Sequence, residues 1–468
     1  MPHVPRITRR RAVAAGAGAP FIFASKSFAQ NTKPNIVYIM ADDLGYADLS
    51  CYGRREYTTP NVDRLAAAGV KFMQAYANSS VCSATRTALI TGRYQYRLDV
   101  GLEEPIAAKS KIVGIPPEHP TLPSLLKKAG YGTSLVGKWH LGFLPKYTPL
   151  KNGYDHFWGI RSGGVDYFTH KSGIASTDTG DLWEQDTKIE KAGYMTDLLG
   201  DRAIEVVNGY AKTKQPFLLS LHFTAPHWPW EGPGDQAESL RVKSLFDFDG
   251  GSQKTFAEMV TRLDYQVGRV LKALDANGLA SNTIVIFTSD NGGERFGFTW
   301  PFTGKKLELL EGGLRIPAIV RWPGHIRAGS TTQQVGITMD WVPTALAAAG
   351  AQADPQYPLD GMNLLPALTQ NSAPVSRKLF WRYHYNSQRA MRDGDMKFLK
   401  INQNSFLFNV VDDPLERANL KARQPEVFQR MVSEYDAWNA TMLPEDPNVN
   451  TSTFFDDELA DHFGNKRK

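Results

Sequence analysis

Cysteine is scarce in this sequence: Cys51 and Cys82 are the only two among 468 residues. At most one disulfide can form, and a chain of this length does not depend on a single crosslink for stability. The sequence also lacks any His-x-x-x-His pair and any closely paired cysteines. The common zinc sites, which are built from such pairs, are therefore excluded.

Long apolar runs and blocks of one charge are absent as well. Beyond residue 29, no segment approaches the about 20 apolar residues of a membrane-spanning helix, so we expect no stable membrane insertion. The net charge is only +5, without a basic run in the body of the chain, which argues against a nucleic-acid partner. With 42% hydrophobic residues, the chain can bury a large core and is long enough for more than one domain.

Residues 1–29 predict an export signal of the twin-arginine type. Arg9, Arg10 and Arg11 precede a weakly apolar stretch, and Ser27-Phe28-Ala29 offers a small-x-small cleavage site. A disordered basic tail is the alternative interpretation. We expect a protein that folds before export, begins near Gln30 after cleavage, and is periplasmic or secreted.

Nearly continuous apolar runs of strand length predict strands that are buried on both faces. These runs cover residues 35–40, 133–139, 216–224, 283–290 and 317–322. Helical patterns alternate with them: one begins at Thr59-Pro60, one ends at Gly130, and one covers residues 255–276. This alternation predicts an α/β domain over residues 30–370, with a large, mainly parallel sheet flanked by helices.

The pattern changes after about residue 350. Residues 379–384, 389–401 and 405–411 are typical of hairpin-linked antiparallel strands, with a turn at residues 392–395. A helical pattern follows over residues 425–438. We expect a smaller C-terminal α+β domain over residues 371–468, built on an antiparallel sheet.

Acidic residues follow two of the predicted strands at the edge where open α/β sheets bind ligands. Asp42 and Asp43 follow the first strand, and Asp290 and Asn291 follow the fourth. Each pair alone is typical of turns and helix caps. At one sheet edge, however, the carboxylates would repel each other unless a cation lay between them. Such an all-oxygen set suits calcium or magnesium.

Cationic and imidazole side chains are predicted near the same edge. They are Lys138, His140, His227, Lys305, Lys306 and Arg315. A single lysine there is usually solvated, and a lone histidine is usually structural. Several together, beside paired carboxylates, indicate a site for a tetrahedral oxyanion whose charge is shared between a metal and side chains.

Cys82 opens a predicted helix that ends at Gly92. The dipole and the unpaired amides of a helix N-terminus favour negative charge, so a thiolate at this position could be a metal ligand or a nucleophile. Soft sulfur is nevertheless a poor match for a hard cation among oxygen ligands. Cys51 has no place in this chemistry and is interpreted as a structural thiol.

The segment that begins at Cys82 resembles the Cys-x-Pro/Ala-x-Arg motif of the type I sulfatases, the arylsulfatase-like family of the alkaline phosphatase superfamily. Ala84 stands where proline is commonest in that motif. The resemblance extends over nearly the whole chain after the export signal, through "NIVYIMADDLGYADLSCYG", "TTPNVDRLAAAGVKF", "CSATRTALITGRY", "GYGTSLVGKWHLG", "FTAPHWPW", "FTSDNGG", "EGGLRIPAIVRWPG" and "LFNVVDDPLERANL". In that family the cysteine is oxidised to formylglycine, so residue 82 would present oxygen to the cation.

The resemblance implies a sulfuric ester hydrolase with a formylglycine hydrate as nucleophile. One hydroxyl of the hydrate attacks sulfur and the alcohol leaves; the second hydroxyl then helps to expel sulfate. The resemblance also implies one divalent cation, for which we expect Ca²⁺. Its ligands by position are Asp42, Asp43, residue 82, Asp290 and Asn291.

Roles for the remaining residues follow from the same resemblance. Arg86 would orient the hydrate, with Lys138 close by, and His140 would take its proton during elimination. Lys306, five positions before Glu311, would contact sulfate and protonate the leaving oxygen. His227 would be another sulfate ligand.

The resemblance also implies the partners of the enzyme. These are a small-molecule or carbohydrate sulfate ester as substrate and a formylglycine-generating enzyme during maturation. A phosphonate monoester or phosphodiester hydrolase of the same superfamily is the alternative function, although such relatives often carry histidine where Asn291 stands. A binding protein without activity is a second alternative, but every matched position is occupied here.

Overall fold

The computed structural model describes Met1 and residues 33–107, 113–172, 180–241, 250–370 and 372–453. Apart from Met1, the predicted export signal lies outside the described residues. The described residues from Lys33 onwards belong to one compact unit. The domain division between residues 370 and 371 stays a prediction. None of the helices in the described part of the chain is long and apolar enough to cross a bilayer.

The chain forms sixteen strands and ten α-helices within the described residues. The strands are β1 (Asn35–Ala41), β2 (Val70–Phe72), β3 (Ala75–Tyr76), β4 (Gly132–Lys138), β5 (His156–Ile160), β6 (Trp183–Glu184), β7 (Thr187–Lys188), β8 (Phe217–His222), β9 (Thr283–Ser289), β10 (Ala318–Arg321), β11 (Ser330–Thr332), β12 (Gly336–Ile337), β13 (Lys378–Tyr383), β14 (Gln388–Asp393), β15 (Met396–Ile401) and β16 (Asn404–Asn409). The helices are α1 (Pro60–Ala67), α2 (Cys82–Thr91), α3 (Leu122–Lys128), α4 (Met195–Thr213), α5 (Gln236–Arg241), α6 (Gln253–Ala276), α7 (Glu311–Leu314), α8 (Trp341–Ala349), α9 (Leu365–Thr369) and α10 (Pro425–Asn439).

The predicted fold class is confirmed. Ten strands form one sheet in the order β11-β2-β10-β9-β1-β8-β4-β5-β6-β7, and its five central strands, β9 to β5, run parallel. The outer strand β10 pairs antiparallel with β9, because the chain turns back at the same edge of the sheet instead of crossing over. β13 to β16 form a separate antiparallel sheet of four strands.

β1 lies at the centre of the large sheet and is buried along its whole length. Val37 and Ile39 pack into a core shared with α1, α4 and α6, whereas Ile36 faces the core of α3 and α8. Successive side chains of a strand point to opposite faces, so a strand covered by helices on both faces must be apolar throughout.

Two helix ends lie at the residues predicted from the sequence, but only the end at Gly92 is capped in the expected way. Gly92 closes α2 in the left-handed conformation, with φ of 69° and its amide bonded to the carbonyl of Ala88, as a glycine C-cap requires. Thr59 precedes α1 as expected, but its hydroxyl does not cap the helix. It accepts a hydrogen bond from the Ser50 amide at 3.0 Å and donates one to Asp63 at 3.2 Å.

Candidate active site

The register of the central strands brings the acidic residues together. Ala41 lies opposite Ser289 in the parallel pair of β1 and β9, so Asp42 and Asp290 leave the sheet side by side. The Asp43 amide donates to Asp290 Oδ1 at 3.2 Å, and Asn291 Nδ2 donates to Asp43 Oδ1 at 2.7 Å. We call Asp42, Asp43, Asp290 and Asn291 the oxygen cluster. All four side chains are buried.

Three cationic side chains surround the oxygen cluster. Lys138, the last residue of β4, donates to Asp42 Oδ2 at 2.6 Å. Arg86, on α2, lies 2.8 Å from Asp290 Oδ2 and 3.5 Å from Asp42 Oδ2. Lys306 donates to Asp43 Oδ2 at 2.6 Å. Each carboxylate thus has a cationic neighbour, which offsets part of the cost of burying its charge.

Two oxygens of the cluster remain unsatisfied. Asp42 Oδ1 and Asn291 Oδ1 are buried and have no hydrogen-bond partner among the described residues, an uncommon state that calls for an explanation. Burial, together with the negative charge of Asp290, raises the pKa of Asp42 to about 8, although Lys138 and Arg86 oppose the shift. A divalent cation would use the lone pairs and favour the ionised carboxylate, so the cluster fits a hard cation with oxygen ligands.

His227 lies against this cluster. Its Nδ1 is 2.6 Å from the carbonyl oxygen of Trp228 and its Nε2 is 3.7 Å from Asp43 Oδ2. One potential ligand atom from each of Asp42, Asp43 and His227 lies within 4.8 Å of the others. Burial and the charge of Lys306 lower the pKa of His227 well below its usual value, against the opposing effect of Asp43. The neutral ring therefore donates through Nδ1 and presents the Nε2 lone pair to the cluster.

Cys82 is the first residue of α2, as predicted, and its side chain is buried beside His140. The Cys82 Sγ to His140 Nδ1 distance is 3.4 Å, and His140 Nε2 is 3.0 Å from the carbonyl oxygen of Ile106. A carbonyl only accepts, so Nε2 carries the hydrogen and Nδ1 has a lone pair facing residue 82. Burial and the charge of Lys138 lower the pKa of His140 well below its usual value, which keeps the ring neutral and the Nδ1 lone pair unprotonated.

The unmodified Cys82 side chain is a neutral thiol in this environment. Burial raises its pKa, although the charges of Lys138 and Lys306 oppose the shift. The helix N-terminus therefore does not produce a thiolate at neutral pH, and a neutral thiol is a poor ligand for a hard cation. Cys51 and Cys82 are both free cysteines.

Two of the predicted cations have partners outside the oxygen cluster. Arg315 instead forms an ion pair with Glu311 at 2.7 Å, because the two residues lie four positions apart at the two ends of α7. Lys305 donates to the carbonyl of Arg295 at 3.0 Å. The resemblance to the sulfatases assigned neither residue a role in catalysis or in metal binding.

Sequence reasoning missed several residues at the site. The Ile106 carbonyl holds His140, and Glu294 Oε2 lies 3.4 Å from Lys306 Nζ. A Cβ at Gly163 would lie 2.6 Å from the His140 ring, and one at Gly164 would lie 3.1 Å from His227. The contacts of these paired glycines with the two histidines can be recognised only in the three-dimensional structure. Glu294 lies three positions after Asn291 and could have been considered from the sequence.

Known proteins and solved structures are similar to this chain over most of its length. The model of the family described as Sulfatase matches residues 34–351, and that described as N-sulphoglucosamine sulphohydrolase, C-terminal, matches residues 300–440. N-acetylgalactosamine-6-sulfatase of Sus scrofa is 36% identical over 78% of this chain and 71% of its own length. Arylsulfatase J of Mus musculus is 30% identical over 90% of this chain and 79% of its own length. The solved structure of Ps i-CgsB in complex with k-i-k-neocarrahexaose has a TM-score of 0.81 and 31% identity, and the match covers 90% of this chain and 96% of that one.

Proposed function

Because this chain belongs to the sulfatase family and is a sulfuric ester hydrolase, we propose that it cleaves sulfate esters at the oxygen cluster, with a formylglycine formed from Cys82 as nucleophile. The family assignment confirms the resemblance drawn from the sequence. The observation that carries the mechanism is the unsatisfied pair of oxygens, Asp42 Oδ1 and Asn291 Oδ1, within a ring of three cationic side chains. That arrangement suits a cation and, next to it, an anionic ester.

The proposed metal is one Ca²⁺, held by Asp42, Asp43, Asp290, Asn291 and residue 82. Its ligands would be oxygens once Cys82 is converted, which removes the mismatch between sulfur and a hard cation. When bound, the cation supplies positive charge that helps to neutralise the sulfate group in the transition state.

The formylglycine supplies a hydrated aldehyde, whose sulfated form can collapse by elimination without hydrolysis of a second ester. The protein's part is to orient residue 82. The Arg86 guanidinium is fixed by Asp290 at 2.8 Å and by the Lys138 carbonyl at 3.2 Å. It therefore presents a rigid positive charge one helical turn after residue 82.

His140 is the proposed proton acceptor for residue 82 in the elimination step. Its Nδ1 lone pair faces that side chain, and the Ile106 carbonyl fixes the tautomer by accepting the Nε2 hydrogen. A neutral imidazole that is held in one orientation is suited to general-base catalysis.

Lys306 is the proposed contact for sulfate and the proton donor to the leaving oxygen. Burial opposes its charge, but Asp43 and Glu294 outweigh that effect and raise its pKa well above the usual value. The ammonium is therefore charged at neutral pH. Proton transfer from it to a departing alkoxide is favourable, because simple alcohols are weaker acids than an ammonium group. His227, beside Asp43, is proposed as a further sulfate contact, with its Nε2 taking up a proton when the anionic sulfate group binds.

The proposed substrate is an aryl or carbohydrate sulfate ester. A formylglycine-generating enzyme is the proposed partner in maturation. Export through residues 1–29 to the periplasm or outside the cell is proposed from the sequence alone.

The proposal can be tested with the full chain produced together with a formylglycine-generating enzyme. We expect 4-nitrophenyl sulfate to be hydrolysed faster than 4-nitrophenyl phenylphosphonate or bis(4-nitrophenyl) phosphate. Activity should disappear with a chelator, return with Ca²⁺ and be absent in Cys82→Ala. Faster hydrolysis of either phosphorus ester would favour the alternative function, and full activity of Cys82→Ala would contradict the mechanism.

A further inference from the structure

The backbone that carries Lys306 is anchored to two segments of the site. The Lys306 amide donates to the carbonyl of Gly293 at 3.0 Å, and the Leu307 amide donates to the carbonyl of Ser80 at 3.1 Å. These bonds tie the lysine to the turn after Asn291 and to the segment just before Cys82. Leu307 has a positive φ of 73°, a conformation that a leucine adopts only when its surroundings hold it there.

A third anchor comes from the C-terminal sheet. Gln388, the first residue of β14, has a buried side chain. Its Nε2 donates to the Leu307 carbonyl at 2.9 Å and to the Tyr385 carbonyl at 3.1 Å, while its Oε1 accepts from the Leu309 amide at 2.9 Å. Two carbonyl acceptors and one amide donor fix the orientation of the side-chain amide, since the reverse orientation would satisfy none of them.

We propose that Gln388 is a positioning residue for Lys306: by bonding the backbone at residues 307 and 309, it holds the strained turn and directs the ammonium group toward the substrate sulfate. The proposal rests on the role of Lys306 in the proposed function. Asp43 holds the Lys306 ammonium at 2.6 Å, and how far the ammonium reaches toward a substrate from that contact depends on where the backbone of the turn is held. Small displacements of a catalytic group lower the rate strongly.

Apolar packing does not replace this anchor. Leu307 and Leu309 are buried in an apolar core with Tyr383, but apolar packing is non-directional and does not by itself fix a peptide orientation. Hydrogen bonds on both sides of residue 308 do so. Gln388 therefore links the sheet formed by β13 to β16 to a side chain of the proposed mechanism.

The chain offers a matched control in Gln334. This side chain is also buried; its Nε2 donates to the carbonyls of Val335 at 3.0 Å and Val375 at 3.2 Å, and its Oε1 accepts from the Val375 amide at 2.8 Å. Gln334→Met removes three hydrogen bonds of the same kinds as Gln388→Met does, two donated to carbonyls and one accepted from an amide. It removes them from a segment that carries no residue of the site.

The experiment compares Gln388→Met and Gln334→Met in the full chain with residue 82 converted. Turnover is measured with phenyl sulfate, whose more basic leaving oxygen gains more from a hydrogen bond to the Lys306 ammonium, and with 4-nitrophenyl sulfate, whose leaving oxygen gains less. For Gln388→Met we expect kcat on phenyl sulfate to fall about tenfold or more, with a clearly smaller loss on 4-nitrophenyl sulfate. Gln334→Met should leave the ratio of the two rates at the wild-type value.

Hydrogen exchange supplies a readout that does not depend on activity. Peptides covering residues 304–310 should exchange faster in Gln388→Met and unchanged in Gln334→Met. An equal loss on both substrates, or unchanged exchange in those peptides, would overturn the proposal. If the wild type hydrolyses no sulfate ester, the proposed function fails, whereas the exchange result still decides whether Gln388 holds the turn.

A second variant covers the case in which Gln388→Met does not fold. Gln388→Asn keeps a side-chain amide but is one methylene shorter, so it cannot reach both the Leu307 carbonyl and the Leu309 amide. We expect the same selective loss on phenyl sulfate, with Gln334→Asn as control. A Gln388→Asn protein with the wild-type ratio of rates and unchanged exchange in residues 304–310 would contradict the proposal.

Discussion

Two buried ionic clusters of this protein contain similar side chains but differ in how completely they are paired. The first is the oxygen cluster with its three cations. The second, here called the interface cluster, joins α7 to the C-terminal sheet and consists of Glu311, Arg315, Arg392, Lys397 and Glu416. Lys397, on β15, lies 3.0 Å from Glu311 Oε1 and 2.9 Å from Glu416 Oε1.

The interface cluster satisfies its central carboxylate. Glu311 Oε2 is bonded to Arg315 and to the Tyr76 hydroxyl, each at 2.7 Å, and Oε1 is bonded to Lys397. Burial opposes ionisation of Glu311, but Lys397 and Arg315 outweigh it and lower its pKa to about 2. In the oxygen cluster, by contrast, the pKa of Asp42 is raised to about 8 and one oxygen is unpaired. Burial of charge is common to both clusters, and in the interface cluster it also raises the pKa of Glu416 to about 7. Glu416 Oε1, however, lies 2.9 Å from the Lys397 ammonium, whereas Asp42 Oδ1 has neither a hydrogen bond nor an ion pair among the described residues. That fully unpaired oxygen distinguishes a ligand site from a structural link.

Breaking the interface cluster should have the largest effect, and that effect should be on stability. Lys397→Met leaves the carboxylates of Glu311 and Glu416 close together without their shared cation, which should cost about 3–5 kcal/mol of unfolding free energy. Denaturant unfolding and kcat of the folded fraction would be measured together. A kcat that falls as far as in an oxygen-cluster variant, without loss of stability, would remove the distinction between the clusters.

Breaking the oxygen cluster should act on turnover instead. Asp42→Asn keeps the shape of the side chain but removes the negative charge proposed to bind the cation, so we expect kcat/KM to fall about a hundredfold or more. Ca²⁺ should raise the melting temperature of the wild type, because a ligand that binds only the folded state stabilises it, and should have less effect on the variant. Equal stabilisation of both proteins by Ca²⁺ would place the cation elsewhere.

Glu104 is a buried carboxyl outside both clusters and shows what burial does to a carboxyl pKa. Its Oε2 accepts from the His384 amide at 2.8 Å, and burial raises its pKa from the usual 4.5 to about 8 against the effects of that amide and of Arg382. Between those pH values the folded state retains a proton that the unfolded state releases, so this contribution to stability is complete below about pH 4.5 and is lost as the pH rises toward 8.

Glu104→Gln should remove that dependence. We expect the wild type to lose stability relative to the variant by about 1 kcal/mol for each pH unit between about pH 5 and pH 8. Urea unfolding of both proteins across this range provides the measurement. Parallel stability profiles would mean that Glu104 titrates alike in the folded and unfolded states.

Local patterns and the rules of sheet topology were sufficient to predict the framework of the site. Asp42 and Asp290 could be brought together from sequence, because the carboxyl ends of neighbouring parallel strands meet at one edge. The position of Cys82 at a helix start followed from the hydroxyl-rich pattern that ends at Gly92. The strand that carries Lys138 was also identified from its continuous apolar run.

The remaining features depend on contacts that no local pattern encodes. Gln388 meets Leu307 across 81 positions of sequence, and the Ile106 carbonyl meets His140 across 34. The charge of Arg315 and its nearness to Lys306 in sequence do not show which carboxylate it pairs with. In the structure its ion-pair partner is Glu311, at 2.7 Å. Every residue has a backbone carbonyl, so the residue type at position 106 does not reveal that its carbonyl accepts a hydrogen bond from His140.

The central claim is that residue 82 becomes an oxygen nucleophile beside the oxygen cluster. The most direct test is mass spectrometry of the tryptic peptide covering residues 72–86, from protein made together with a formylglycine-generating enzyme. We expect a mass in which an aldehyde replaces the thiol, in the same preparation that hydrolyses sulfate esters. An intact cysteine in a fully active preparation would contradict it.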